Sequence, residues 1–373
     1  MNKQKILNML KNIAAIIVVL AMFIVIFYQN RDRDVFKFGK DESSKLITNN
    51  QGGSDTFYGG DIGLLGEDVA FLTTTTFSVI DKDGESKTSP IAISAPQLHA
   101  KAEWSACYDT DSKEVTVFKA SSQSYTIKTD NKIITAKINK NGYLFVATEK
   151  EVYNCECVVY NKKGEAIFKW DISKSEFLDG DINSSNNSIA ISLASAGKSK
   201  LIGEVSLIDI TTAEVVKKEK FDSEIFYTLN FNSNGTYTAL GNSSLTYFNS
   251  DGTKRWSYEF NDRTLLKADV TNHDKMVLAF SSDSITKGKS TDVLLINRLG
   301  NVSAEKNYSG TIDTISQNDD SVALAFGKKV YITNDKLREK KTVEADSSIK
   351  KMVLYKDSKH IFVLGNSGGN VIG

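Results

Sequence analysis

The residues best suited to chemistry are few. Cysteine occurs at positions 107, 155 and 157, and histidine at 99, 273 and 360. Cys155 and Cys157 stand two apart, so on an extended strand they share one face. A Cys-x-Cys pair becomes a metal site only with further ligands, and His99, His273 and His360 are too scattered to supply them. An odd number of thiols leaves no complete disulfide framework. The expectation is therefore of small, half-buried strand residues, with no metal and no cofactor.

Other reactive patterns are missing. The chain has no Gly-Lys-Ser/Thr phosphate loop and no Gly-x-Ser-x-Gly nucleophile elbow. Aspartate and glutamate are plentiful, but no pair stands apart from those expected in solvated turns. What does stand out is a set of lysines in two long loops, 195–201 and 281–291. Lys198, Lys200, Lys287 and Lys289 there read as a basic rim that could recognise an acidic polymer, a headgroup or a protein. The competing reading is of ordinary solvated lysines.

The elements that would carry these residues are short strands. From residue 61 onward, runs of β-branched and aromatic residues alternate with Asn, Asp, Ser or Gly turns, and no amphipathic helix of convincing length appears. The turn before each apolar second strand falls near Gly66, Trp104, Gly142, Asn187, Gly235, Asp274, Asp320 and Ser358, about 42 residues apart on average. The turn after each third strand falls near Gly84, Ser122, Gly164, Thr212, Gly252, Gly300 and Asp335, with the same mean of about 42. That period with four short strands predicts an all-β propeller of about eight four-stranded blades, with seven as the alternative. The eighth unit ends at Gly373 without room for a fourth strand. An open edge invites aggregation, so an N-terminal strand, residues 45–48 or 55–58, is expected to close the ring. Only two prolines, Pro90 and Pro96, occur in the whole chain, as a mostly stranded ring requires.

Charge divides the chain further. Lys+Arg and Asp+Glu are 46 each, so the net charge is zero, which argues against a nucleic-acid binder. Lys3, Lys5 and Lys11 are the only charged side chains in residues 1–29, and the remainder is mildly acidic. Residues 12–30 are uncharged and include the apolar run 13–28. Sixteen helical residues cover roughly 24 Å, enough for a short membrane span with polar ends in the interfaces. No small-x-small cleavage site follows, so a signal anchor is preferred to a cleaved signal peptide or a core helix. The expected order is a cytoplasmic flank at 1–11, a transmembrane signal-anchor helix at 12–30, a polar tether at 31–60 and a propeller at 61–373. The basic flank places the N-terminus in the cytoplasm and the propeller outside, although Arg31, Arg33, Lys37 and Lys40 nearly balance the count.

Two segments carry a family resemblance. Tyr160 to Trp170 and Tyr247 to Trp256 each run from a strand through a Gly turn to a Trp, and both resemble the PQQ-type propeller repeat. The stretch Glu151 to Trp170, with the N-terminal anchor, resembles a family of membrane-anchored PQQ-like (WD40/YVTN-like) β-propellers from low-GC Gram-positive bacteria. The resemblance implies an anchored propeller on the outer face and supplies no catalytic residues. A quinone-dependent dehydrogenase would need adjacent cysteines, but Glu156 separates Cys155 from Cys157. Ser250 to Trp256 lacks the spacing of a sialidase box. The unit-ending tryptophans are expected to pack blades rather than touch a cofactor.

The functional expectation is a non-catalytic binding or scaffolding module of the cell envelope, with a protein or polysaccharide partner. A quinone-dependent or hydrolytic enzyme and a cytoplasm-facing sensor are the alternatives.

Overall fold

The computed structural model describes residues 60–373, apart from 111, 152–153, 283–287 and 366–367. The expected membrane span, tether and closing strands lie outside the described residues. Among the described residues, no helix is long and apolar enough to cross a membrane.

Among the described residues, thirty-one strands follow one another in sequence order. Blade 1 holds β1 (Asp61–Leu65), β2 (Asp68–Leu72), β3 (Thr76–Ile80) and β4 (Ser86–Pro90). Blade 2 holds β5 (Pro96–Lys101), β6 (Trp104–Asp109), β7 (Glu114–Lys119) and β8 (Ser122–Lys128). Blade 3 holds β9 (Ile133–Ile138), β10 (Leu144–Glu149), β11 (Cys155–Tyr160) and β12 (Ala166–Ile172). Blade 4 holds β13 (Glu176–Ile182), β14 (Ser188–Ala196), β15 (Leu201–Asp209) and β16 (Glu214–Asp222). Blade 5 holds β17 (Phe226–Phe231), β18 (Tyr237–Gly241), β19 (Ser244–Phe248) and β20 (Lys254–Glu259). Blade 6 holds β21 (Leu265–Asp269), β22 (Lys275–Ser281), β23 (Ser290–Asn297) and β24 (Val302–Ser309). Blade 7 holds β25 (Thr314–Gln317), β26 (Val322–Phe326), β27 (Lys329–Thr333) and β28 (Glu339–Glu344). Blade 8 holds β29 (Ile349–Leu354), β30 (Ile361–Gly365) and β31 (Gly368–Ile372). Every sheet is an antiparallel meander, seven of four strands and the last of three. The eight units read from the turn spacing are these eight blades.

The core is not one cluster but eight, one at each blade interface. Alternate residues of a strand enter the clusters on its two sides. In β22, Met276, Leu278 and Phe280 pack toward blade 5, whereas Val277 and Ala279 pack toward blade 7. Second and third strands are therefore buried on both faces, and their sequences are continuously apolar rather than alternating. Val69, Ile80, Val353, Tyr355 and Phe362 join blade 1 to blade 8, so side-chain packing closes the ring. Tyr355 adds a hydroxyl bond to the Asp81 carbonyl at 3.0 Å.

The turn chemistry explains the repeat markers. In the turn after β11, the Asn161 side chain accepts the amides of Lys163 and Glu165, and Gly164 takes a φ of 81°. Gly300 does the same after β23, and a Cβ there would lie 2.8 Å from the Trp256 ring of the preceding blade. Trp256 in turn stacks on Tyr247 and donates its indole N–H to the Arg298 carbonyl at 3.0 Å. The turn glycine of one blade thus docks on the fourth-strand aromatic of the blade before it, as Gly164 does on Tyr125, and Trp256 packs blades as expected. Pro90 ends an outermost strand and Pro96 begins an inner one, where a missing donor costs least.

Candidate functional site

The meander sorts the connections onto two faces. Turns between second and third strands, and the links from one blade to the next, lie together on what is called here the connection face. The other two sets of turns lie on the opposite face. First strands line the central channel.

Charged side chains of these first strands meet across that channel. Lys137 donates to Asp179 at 2.5 Å and to the Leu229 carbonyl at 2.9 Å. Burial opposes the Lys137 charge, but Asp179 and Asp181 outweigh burial and hold the ammonium above its usual range. Asp179 also accepts the Leu229 amide and Asp181 the Phe231 amide, each at 2.7 Å. Asp61 accepts the Leu98 amide at 2.9 Å and pairs with Lys351, again at 2.9 Å. His99 Nδ1 accepts the Ile138 amide at 3.1 Å, and Ser316 accepts that of Leu354 at 2.9 Å. All but one of these bonds join one blade to the next, and the Lys137 bond to Leu229 spans from blade 3 to blade 5. Lys101 reaches furthest, from blade 2 to the Phe231 carbonyl and the Asn230 side chain of blade 5. Chemically, these groups stitch blades together and fill the channel wall.

Two histidines are held neutral by this setting. Loss of hydration, reinforced by Lys137 and Lys101, pushes His99 well below the usual histidine value. Burial, with Lys101 close by, lowers His273 to about 3. The Asn230 amide meets His273 Nε2 at 3.3 Å, and Nδ1 has no hydrogen-bond partner among the described residues.

The lysines singled out in the sequence lie on the connection face. Lys198 and Lys200 fall between β14 and β15, and Lys289 immediately before β23. All three are exposed, and Lys200 pairs with Asp222 at 2.6 Å. Lys287 lies outside the described residues. The first loop is shorter than its sequence suggests. β14 and β15 pair from Ser188 with Asp209 to Ala196 with Leu201, so only residues 197–200 turn. Alternating small and aliphatic residues there continue the ladder, and the hairpin projects as extended strands. The same face holds clefts between blades 1 and 2, about 400 Å³ with Ser94, Asp109 and Gln123, and between blades 2 and 3. The second cleft, about 390 Å³, contains Glu156. Burial opposes its charge, but Lys150 and Lys169 outweigh burial and hold the carboxyl below its usual range.

Cys107, Cys155 and Cys157 are free thiols. They are fully buried rather than half-buried, because the second strand that holds Cys107 and the third strand that holds Cys155 and Cys157 are covered on both sides, and burial pushes the Cys107 and Cys157 thiols up. Among the described residues, no group of three or more His, Cys, Asp and Glu is placed to hold a metal ion. The first-strand charges were missed in the sequence. Their signal is an ionisable residue inside an otherwise apolar first strand, such as Asp179 and Asp181 between Leu178 and Ile182.

The family of unknown function DUF5711 matches residues 48–372. No curated protein matches the chain. Among solved structures, the C-terminal WD40 domain of Sif2 superposes with a TM-score of 0.58 at 14% identity, covering 82% of this chain and 93% of that one. BamB from Moraxella catarrhalis gives 0.51 at 11% identity, over 83% of this chain and 95% of that one. A eukaryotic initiation factor gives 0.53 at 14%, over 84% and 83%. At these identities the likeness shows the shared propeller fold.

Proposed function

We propose that this chain, which belongs to the DUF5711 family, is a membrane-anchored, extracytoplasmic β-propeller that acts as a non-catalytic binding or scaffolding module. One contrast carries the reading. The channel carboxylates and histidines that could serve chemistry are engaged in joining blades, whereas Lys198 and Lys289 are exposed on the connection face. A surface with exposed cations at two of its turns suits an acidic partner. The anchor rests on the uncharged stretch 12–30, and its orientation on the unneutralised Lys3, Lys5 and Lys11. Lys287 belongs to the same rim by its place in the sequence.

A photo-crosslinking residue at position 198 or 289, in intact cells, tests the binding role. An envelope protein or polysaccharide should be captured from these positions and not from Lys162 on the opposite face. Equal yields from both faces would refute it. Protease added to protoplasts tests the compartment: shaving of the propeller is expected, and its full protection would establish the cytoplasm-facing alternative.

A further inference from the structure

The first strands repeat one irregularity. In blades 3, 4, 5, 6 and 8 each carries a one-residue bulge near its start. The residue after the bulge is Thr135, Asp179, Thr228, Lys267 or Lys351, so these five hold equivalent places on the channel wall. The first strand of blade 7 has no bulge, but Thr314 pairs with Ala325 as Lys267 pairs with Ala279. Residues at this level reach the blades beside them. Lys351 meets Asp61 across the junction of blades 8 and 1 at 2.9 Å. Asp179 takes the Lys137 ammonium from blade 3 and the Leu229 amide from blade 5.

Lys267 is the exception on this wall. Lys137 is engaged with Asp179, Lys351 with Asp61, and Lys101 with the Phe231 carbonyl and the Asn230 side chain. Lys267 is exposed and has neither an ion pair nor a hydrogen bond among the described residues. Two carboxylates flank the position along the chain, and both are turned elsewhere. Asp269, two residues on in β21, accepts the Thr271 amide at 3.0 Å and its hydroxyl at 2.6 Å. Asp313, immediately before Thr314, accepts the Gly327 amide. The equivalent places on the blades before and after hold hydroxyls, those of Thr228 and Thr314. Both residues are half-buried, and neither hydroxyl has a hydrogen bond among the described residues. The ammonium and hydroxyl donors are thus left to solvent or to a ligand. A recess between protein walls focuses the field of an unpaired cation.

We propose that Lys267, flanked by Thr228 and Thr314, binds a small oxyanion, a phosphate or carboxylate group, on the channel wall. Charge-assisted bonds from the ammonium hold the oxyanion, and the two hydroxyls orient it. Access is from the connection face. β21 starts there, and Lys267 lies two residues into the strand, roughly 7 Å from that end. The other end of the channel is crossed by Lys101 on its way to blade 5. The site depends neither on the anchored reading nor on Lys198 and Lys289.

Calorimetric titration of the full-length chain with inorganic phosphate and with acetate, at constant ionic strength in chloride, tests the site. At least one of the two anions should bind saturably, with a Kd on the order of millimolar or tighter. Binding of phosphate alone marks a phosphoryl ligand, and binding of acetate marks a carboxylate. Lys267→Gln should weaken binding at least about tenfold and Thr314→Val about threefold, whereas Lys267→Arg keeps the charge and most of the affinity. Lys198→Gln should leave binding unchanged. Lys267 is exposed, so its replacement leaves the fold intact, which circular dichroism checks. No binding of either anion, equal binding by Lys267→Gln, or equal losses in Lys267→Gln and Lys198→Gln would overturn the proposal. The connection-face crosslinks report on other residues, so their failure would leave this site standing.

Discussion

Part of the stability lost on acidification should come from one identifiable side chain. His273 is buried, receives the Asn230 amide at Nε2, and lies edge-on to the Tyr247 ring at 5.7 Å. Its folded value is about 3, against about 6.5 for a histidine in an unfolded chain. Below pH 6.5 the unfolded state therefore binds the proton more readily than the folded one. The stabilisation is complete above 6.5 and is lost progressively as the pH falls toward 3. Each pH unit in that window is worth about 1.4 kcal/mol, so lowering the pH from 7.5 to 5.0 should remove about 2 kcal/mol. His273→Gln retains an acceptor where Nε2 stands and cannot take the proton. Urea unfolding, followed by tryptophan fluorescence, gives the comparison at both pH values. The unaltered chain should lose about 2 kcal/mol more than the variant over this range. Equal losses would show that His273 accepts its proton at no cost in the folded ring, and the burial argument would be refuted.

Further outcomes follow from other contacts. Asp179→Ala leaves Lys137 without its closest counter-charge and should cost about 3 kcal/mol in urea unfolding, while Lys137→Met with Asp179→Leu should recover most of it. Trp256→Ala removes the stack on Tyr247 and the bond to Arg298, and should cost about 2–3 kcal/mol by the same measurement. Gly300→Ala combines a φ of 84° with a Cβ against that indole, and should lower the thermal midpoint. Ala102 and Ala120 are exposed and hold φ values of 53° and 48°, so glycine at either position should raise the unfolding free energy in urea by up to about 1 kcal/mol.

The sequence by itself determined the number of units, their order and the shortness of the last one. Those features rest on local chemistry. An Asn161 side chain caps a turn whose Gly164 takes a positive φ, and the apolar runs beside it are strands whichever neighbours they meet. It also carried the exposure of Lys198, which only needs a turn at 197–200. Tertiary structure decided the channel. Asp179 finds Lys137 from 42 residues away and the Leu229 amide from 50. Lys101 reaches Phe231 across 130 residues. Lys137 and Asp179 stand one repeat apart, but the repeat does not say which side chains face each other, because they meet only when first strands one to three blades apart are brought around a common axis. The same closure buried the cysteines on both sides and made His273 neutral. A strand signals its own alternation, but the charge that will stand beside it comes from another blade.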